Sequence, residues 1–168
     1  MNRSAYAFRQ VDANLYKFMS EGHERIEKVV EFTYVGVPGV MNLGFGDSYD
    51  GRMMDDEVVS NNGDIAKVMA TIVRIVEDFS RCFPETKIHF AGSTPERTRL
   101  YGRILKTYFL EFTNSFSITG RVKGARDEIP FDPAQPYIFE AYFIKRKNKS
   151  AVYEKHKSKK QKKRKAAR

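Results

Sequence analysis

The hydrophobic pattern of the chain changes period once, and the change separates a strand-rich first part from an alternation of helices and strands. From Asn14 to Met19, and again from Ile26 to Tyr34, β-branched and aromatic residues recur with strand spacing. In the second segment Val30, Phe32 and Tyr34 share one face while Val29, Glu31 and Thr33 share the other. Val37-Pro38-Gly39 is a turn signal, and Val40 to Phe45 makes a further short strand. Gly46 to Asn62 is polar and acidic and reads as a long loop. At Asn62-Gly63-Asp64 the spacing becomes helical: Ile65, Val68, Met69, Ile72, Ile75, Val76 and Phe79 form one apolar stripe. That predicts a helix over about 64–81, capped by Asn62 or Asp64 and stopped before Pro84.

Lys87 to Ala91 reads as a short buried strand. Gly92-Ser93-Thr94-Pro95-Glu96 then signals a helix start, with Ser93 or Thr94 as the cap. The second helix is expected over 95–107, with Leu100, Ile104, Leu105 and Tyr108 inward. Ser115 to Val122 and Tyr137 to Lys145 supply two closing strands around the turn-rich KGARDEIPFDPAQP. The order implies an α/β (α+β) mixed sheet with two principal helices. The early strands form an antiparallel meander, and the strand-helix-strand passages make parallel neighbours.

Charge divides the chain differently from hydropathy. The net +9 resolves into residues 145–168, with 13 lysines and arginines against the single acid Glu154, and residues 1–144, with 17 basic and 20 acidic residues. The first 144 residues are therefore expected to form one globular domain of slightly acidic character, and 145–168 a disordered basic tail. Such a tail attracts phosphate backbones through counterion release without reading sequence; RNA is the expected nucleic acid over DNA, and an anionic membrane surface fits the same charge. The same charge also suits a solubilising appendage. One cysteine (Cys82) excludes a disulfide framework within the chain, and three scattered histidines leave little for a metal centre. There is no apolar run long enough to span a membrane and no apolar signal core, so a cytoplasmic protein is expected.

Few residues stand out for chemistry. Arg97, Arg99, Arg103 and Lys106 lie on the second helix. The forked guanidinium of the arginines suits phosphate oxygens; the alternative, favoured for Arg103 and Lys106, is a solvated helix face or ion pairs with Asp55, Asp56 and Glu57. Tyr101, on the same helix, is a candidate proton donor or a core residue with its hydroxyl at the rim. Asp47 follows a strand and is the acid expected to point into a cleft; with Asp55, Asp56 and Asp64 it could face a divalent metal, but the spacing matches no calcium loop. Cys82 and His89 flank Pro84 without an evident third group, so a packed cysteine is expected. Gly44, Gly46 and Gly92 suit tight turns or a close ligand approach.

Two resemblances follow from these motifs. Asn42-Leu43-Gly44-Phe45-Gly46-Asp47, Asp55-Asp56, Asn61-Asn62-Gly63-Asp64, and Gly92-Ser93-Thr94 with Arg97-Thr98-Arg99-Leu100-Tyr101 resemble a family of small uncharacterised proteins from Bacteroidetes, over roughly residues 4–145. The order of elements is similar to that of the GNAT acetyltransferases. That resemblance implies acetyl-CoA as a cofactor, with Asn61, Asn62, Gly63 and Asp64 at the position of the pyrophosphate loop. It also places Tyr101 as the catalytic acid that protonates the departing thiolate, with Arg97, Arg99, Asp47, Ser93 and Thr94 toward the substrate. It implies an acyl transferase acting on or near RNA, in a translation-directed or toxin-like role. The alternative is a non-enzymatic module that holds nucleic acid or a ribonucleoprotein through its tail. The sequence departs from the GNAT pattern at Asp64, where a carboxylate competes with phosphate for the amides that open a helix.

Overall fold

The computed structural model describes residues 4–49, 53–55 and 62–148. In chain order these form β1 (Phe8–Asp12), β2 (Leu15–Glu21), β3 (Arg25–Tyr34), β4 (Val40–Tyr49), β5 (Met53–Asp55), α1 (Ile65–Cys82), β6 (Lys87–Phe90), α2 (Pro95–Thr107), α3 (Phe109–Ser115), β7 (Phe116–Val122), β8 (Glu128–Pro130) and β9 (Phe139–Arg146). All the strands join one sheet in the order β1-β2-β3-β4-β6-β9-β7-β8, with β5 added to β4. The expected mixed sheet is present: β1 to β4 are an antiparallel meander, and β4 and β6 are parallel neighbours joined across α1. β9 inserts between β6 and β7, antiparallel to both.

All three helices pack on one face of the sheet. Register places Tyr16, Val30, Phe32, Leu43, Ile88, Tyr142, Ile144 and Ile118 on that face, and each of them is buried. The apolar stripe of α1 meets it directly, with Phe79 stacked on Phe32 at a 3.8 Å ring separation. Arg146, at the end of β9, donates to the Glu77 carbonyl at 2.9 Å and to Ser80 Oγ at 3.0 Å, tying the last strand to α1. α2 opens as expected, with Thr94 Oγ1 accepting from the Arg97 amide and Pro95 in the first turn. It crosses β9 at Gly102, where a β-carbon would lie 2.2 Å from the Tyr142 hydroxyl, so only glycine allows this approach.

Several expectations need correction. β1 and β8 lie outside the expected strands, and a third helix, α3, precedes β7. Gly44 and Gly46 sit within β4, which runs on to Tyr49; they are not turn residues, and the expected loop from Gly46 begins as strand. Pairing with β3 as far as Lys28↔Asp47 holds this glycine-containing stretch extended despite its weak intrinsic preference. Cys82 is exposed at the end of α1 rather than packed, and His89 lies on the sheet face opposite that helix. β9 continues to Arg146, while the basic segment from residue 149 lies outside the described residues.

Candidate functional site

The edge of β4 is where the sheet is least regular. β4 pairs with β6 only over Val40↔Lys87, Met41↔Ile88 and Asn42↔His89, and β5 takes up the same edge at Asp47. Between them, Leu43, Gly44, Phe45 and Gly46 pair with β3 alone among the described residues. Tyr101 of α2 stands over this gap on the helix face. Its ring lies 5.5 Å from that of Phe45 on β4 and 6.1 Å from that of Phe90 on β6. Tyr101 is a partly buried aromatic that bridges the gap.

Asp47 points into the interior and is almost fully buried. It pairs with the Lys28 ammonium, itself only 7% exposed, and its Oδ2 has no hydrogen-bond partner among the described residues. The expected cleft acid is therefore a buried ion-pair acid. Lys28 escaped the sequence reading, although a visible signal existed: it interrupts the apolar face of Val30 and Phe32 with a charge.

The segment that opens α1 is held by a network of its own. The Asn62 amide donates to Ser20 Oγ and to the Glu24 carbonyl, each at 2.9 Å, and its Oδ1 accepts from the Glu24 amide at 2.8 Å. Asp64 turns its carboxylate inward, accepting from the Tyr6 hydroxyl at 2.7 Å and from Ser20 Oγ at 2.6 Å. Burial and the bond to Asp64 push the Tyr6 hydroxyl above its ordinary range. The Asp64 side chain makes no capping bond to α1. The carboxylate accepts from two neutral hydroxyls and keeps its negative charge at the start of α1. Asn61 lies outside the described residues.

The substrate candidates on α2 are not gathered into one cluster. Arg97 Nη1 donates to Ser93 Oγ at 3.1 Å, while Ser93, Thr94 and Arg99 are exposed. Gly92 is tied to the helix start, its amide donating to Thr98 Oγ1 at 3.0 Å. The side chains of Asp55, Asp56 and Glu57 lie outside the described residues. No group of three His, Cys, Asp or Glu poised for a metal occurs among the described ones.

On the face opposite the helices, His89 Nδ1 lies 2.8 Å from Asn42 Oδ1, joining the last registered pair of β4 and β6. The amide oxygen can only accept, so Nδ1 carries the proton and Nε2 presents a lone pair. Burial, followed by the charge of Arg121, holds His89 below its ordinary value, and Glu128 opposes them. The Asn42–His89 pair was missed because its members are 47 residues apart in the chain.

The fold and this site define an α+β protein built on one mixed sheet, with an aromatic over a gap on one face and an oriented imidazole on the other. The chain belongs to a family of unknown function, DUF6934, whose model matches residues 2–147. Comparisons with curated proteins and with solved structures find no match. No helix among the described residues is long and apolar enough to cross a membrane.

Proposed function

We propose that the protein is an acyl-CoA-dependent transferase of GNAT-like architecture, acting on or near RNA in a cytoplasmic, translation-directed or toxin-like role. The observation that carries this reading is the four-residue gap on the edge of β4, between its parallel neighbour β6 and the added β5. A strand edge without a partner among the described residues offers its amides and carbonyls to an extended ligand that carries amide groups of its own, as an acyl-CoA arm does. α1 follows β4 and β5 in the chain, and in this reading the segment Asn61-Asn62-Gly63-Asp64 before it takes the pyrophosphate. Tyr101 over the gap is the catalytic acid in this reading, its hydroxyl serving the departing thiolate. Arg97 and Arg99, at the start of α2, serve the substrate, with Ser93 and Thr94 beside them; Asp47 acts through its pair with Lys28 as a support beneath the gap. Calorimetry with acetyl-CoA tests the reading. Heat of binding at submillimolar ligand is expected, and its absence at millimolar ligand removes the transferase.

A second reading is favoured by the charge of residues 145–168: a nucleic-acid-binding module that performs no chemistry. Both readings place RNA on the tail, so a deletion tests that partner separately. Lys147 bonds to the Thr113 carbonyl and Arg146 to α1, so the deletion should begin at residue 149. The full chain should bind RNA with an affinity that falls steeply with salt, and the truncated chain should lose most of it. Equal affinity in both moves the contact to the α2 arginines. RNA binding without acetyl-CoA binding selects the module.

A further inference from the structure

We propose that His89 is the catalytic base of the transfer, that Asn42 positions it, and that the acceptor's amine or hydroxyl approaches on the sheet face opposite the helices. The inference rests on the transferase reading above. Three features of the sheet lead to it. His89 and Asn42 form the last registered β4–β6 pair, so they stand at the margin of the stretch of β4 that pairs with β3 alone among the described residues. On the same face the next two β4 residues are Gly44 and Gly46, so the floor beside the imidazole carries no side chain. All three helices lie on the other face, where Tyr101 covers the gap.

The imidazole is fixed by more than one neighbour. Its ring lies 5.2 Å from that of Phe143 on β9, and the Asn42 oxygen sets the tautomer from β4. The charged groups on this face are largely balanced. Lys87 of β6 bonds to Glu128 of β8 at 2.9 Å, Arg121 of β7 pairs with Glu140 of β9 at 2.6 Å, and Lys145 of β9 pairs with Glu85 at 3.5 Å. Glu31 of β3 lies opposite Gly44 on the same face. Among the described residues His89 Nε2 has no hydrogen-bond partner, which leaves it to a substrate.

The step balances without a further reagent. Nε2 takes the proton from the acceptor's nitrogen or oxygen as that atom bonds to the acyl carbon. The C–S bond breaks, and the thiolate takes the Tyr101 hydroxyl proton. His89 then releases its proton to solvent and Tyr101 regains one, giving the acylated acceptor and free CoA thiol.

The test uses the full chain, acetyl-CoA, and ethanolamine as a small acceptor that carries both an amine and a hydroxyl. Thiol release is followed from pH 5 to 9, and acetyl-CoA binding by calorimetry. The rate should rise through a midpoint below 6.5, the ordinary histidine value. His89→Gln should lower it about a hundredfold and abolish that limb while binding acetyl-CoA unchanged. Asn42→Ala should lower the rate, and Asn42→Asp should restore it while moving the limb to higher pH, because a carboxylate stabilises the imidazolium. In ¹⁵N spectra at pH 7, His89 should carry its proton on Nδ1. A retained limb in His89→Gln, a proton on Nε2, or binding with no thiol release in any variant overturns the role of His89 alone. Failure of the wild-type chain to bind acetyl-CoA overturns the transferase reading, and this role with it.

Discussion

Replacing Lys28 with methionine isolates the cost of a buried charge in this sheet. Lys28 is 7% exposed and Asp47 1%, so neither can recover much hydration when the pair is broken. The variant keeps the aliphatic stem and removes the ammonium, leaving an acid whose Oδ2 already lacks a partner among the described residues. Breaking a buried pair in this way costs about 3–5 kcal/mol. For a chain of this size that corresponds to a fall in melting temperature of roughly 6–20 °C. The charge, and not the loss of packing, is held responsible, so the double variant Lys28→Met with Asp47→Leu should recover most of the loss. Urea unfolding of the wild type, both single variants and the double variant closes the cycle. A Lys28→Met variant within about 1 kcal/mol of wild type would refute the reasoning, since an exposed pair is worth no more than that. A double variant as unstable as the single one would instead assign the loss to packing around β3 and β4.

Two further outcomes follow from the sheet's edges and interior. A β-carbon at Gly22 would lie 1.8 Å from the Asn62 carbonyl oxygen, so Gly22→Ala should cost about 1–3 kcal/mol and speed exchange of the His23 amide bonded to that oxygen; unchanged exchange would disprove the contact. Burial, reinforced by the Asp78 charge, pushes the Tyr16 hydroxyl up to about 12. Its contribution to stability is complete below pH about 10, the unfolded value, and is lost as pH rises toward 12, because the unfolded chain then releases a proton that the folded chain retains. Urea unfolding at pH 9 and pH 11.5, with Tyr16→Phe as the reference, measures this difference, and equal pH dependence in the two proteins would contradict it.

What could be read from the sequence was whatever one element's own periodicity encodes. The α1 stripe and the alternation in β3 announce themselves because each buries one face against a large apolar surface. β1 carries FRQVD and exposes four of its five residues, so it has no core pattern to show; its place comes from pairing with β2. β8 is three residues inside a turn-rich stretch and exists through its register with β7. The site was legible to a smaller extent. Tyr101 and Asp64 stood out by position, but the partners that define them, Phe45 and Phe90 for one and Tyr6 and Ser20 for the other, are set by tertiary contact. The Asp64–Tyr6 bond spans 58 positions. No local signal foretells such a bond.

The division of groups between the two faces bears directly on the proposed chemistry. A transfer between two ligands needs a donor and an acceptor to meet at one carbon while their proton-handling groups stay apart. Here period-2 geometry keeps them separate: Leu43 and Phe45 face the helices and Tyr101, while Asn42, Gly44 and Gly46 face away with His89. A continuous sheet would wall these sides off from each other, because backbone hydrogen bonds would fill the space between β4 and its neighbour. Among the described residues the registered β4–β6 pairing ends at Asn42↔His89, where the imidazole stands, and the next four residues of β4 pair with β3 alone. The same glycines that weaken β4 as a strand contribute no side chain to its outer face. Irregularity in β4 and the candidate chemistry are thus one feature of the sheet, produced by the Asn42-Leu43-Gly44-Phe45-Gly46-Asp47 run.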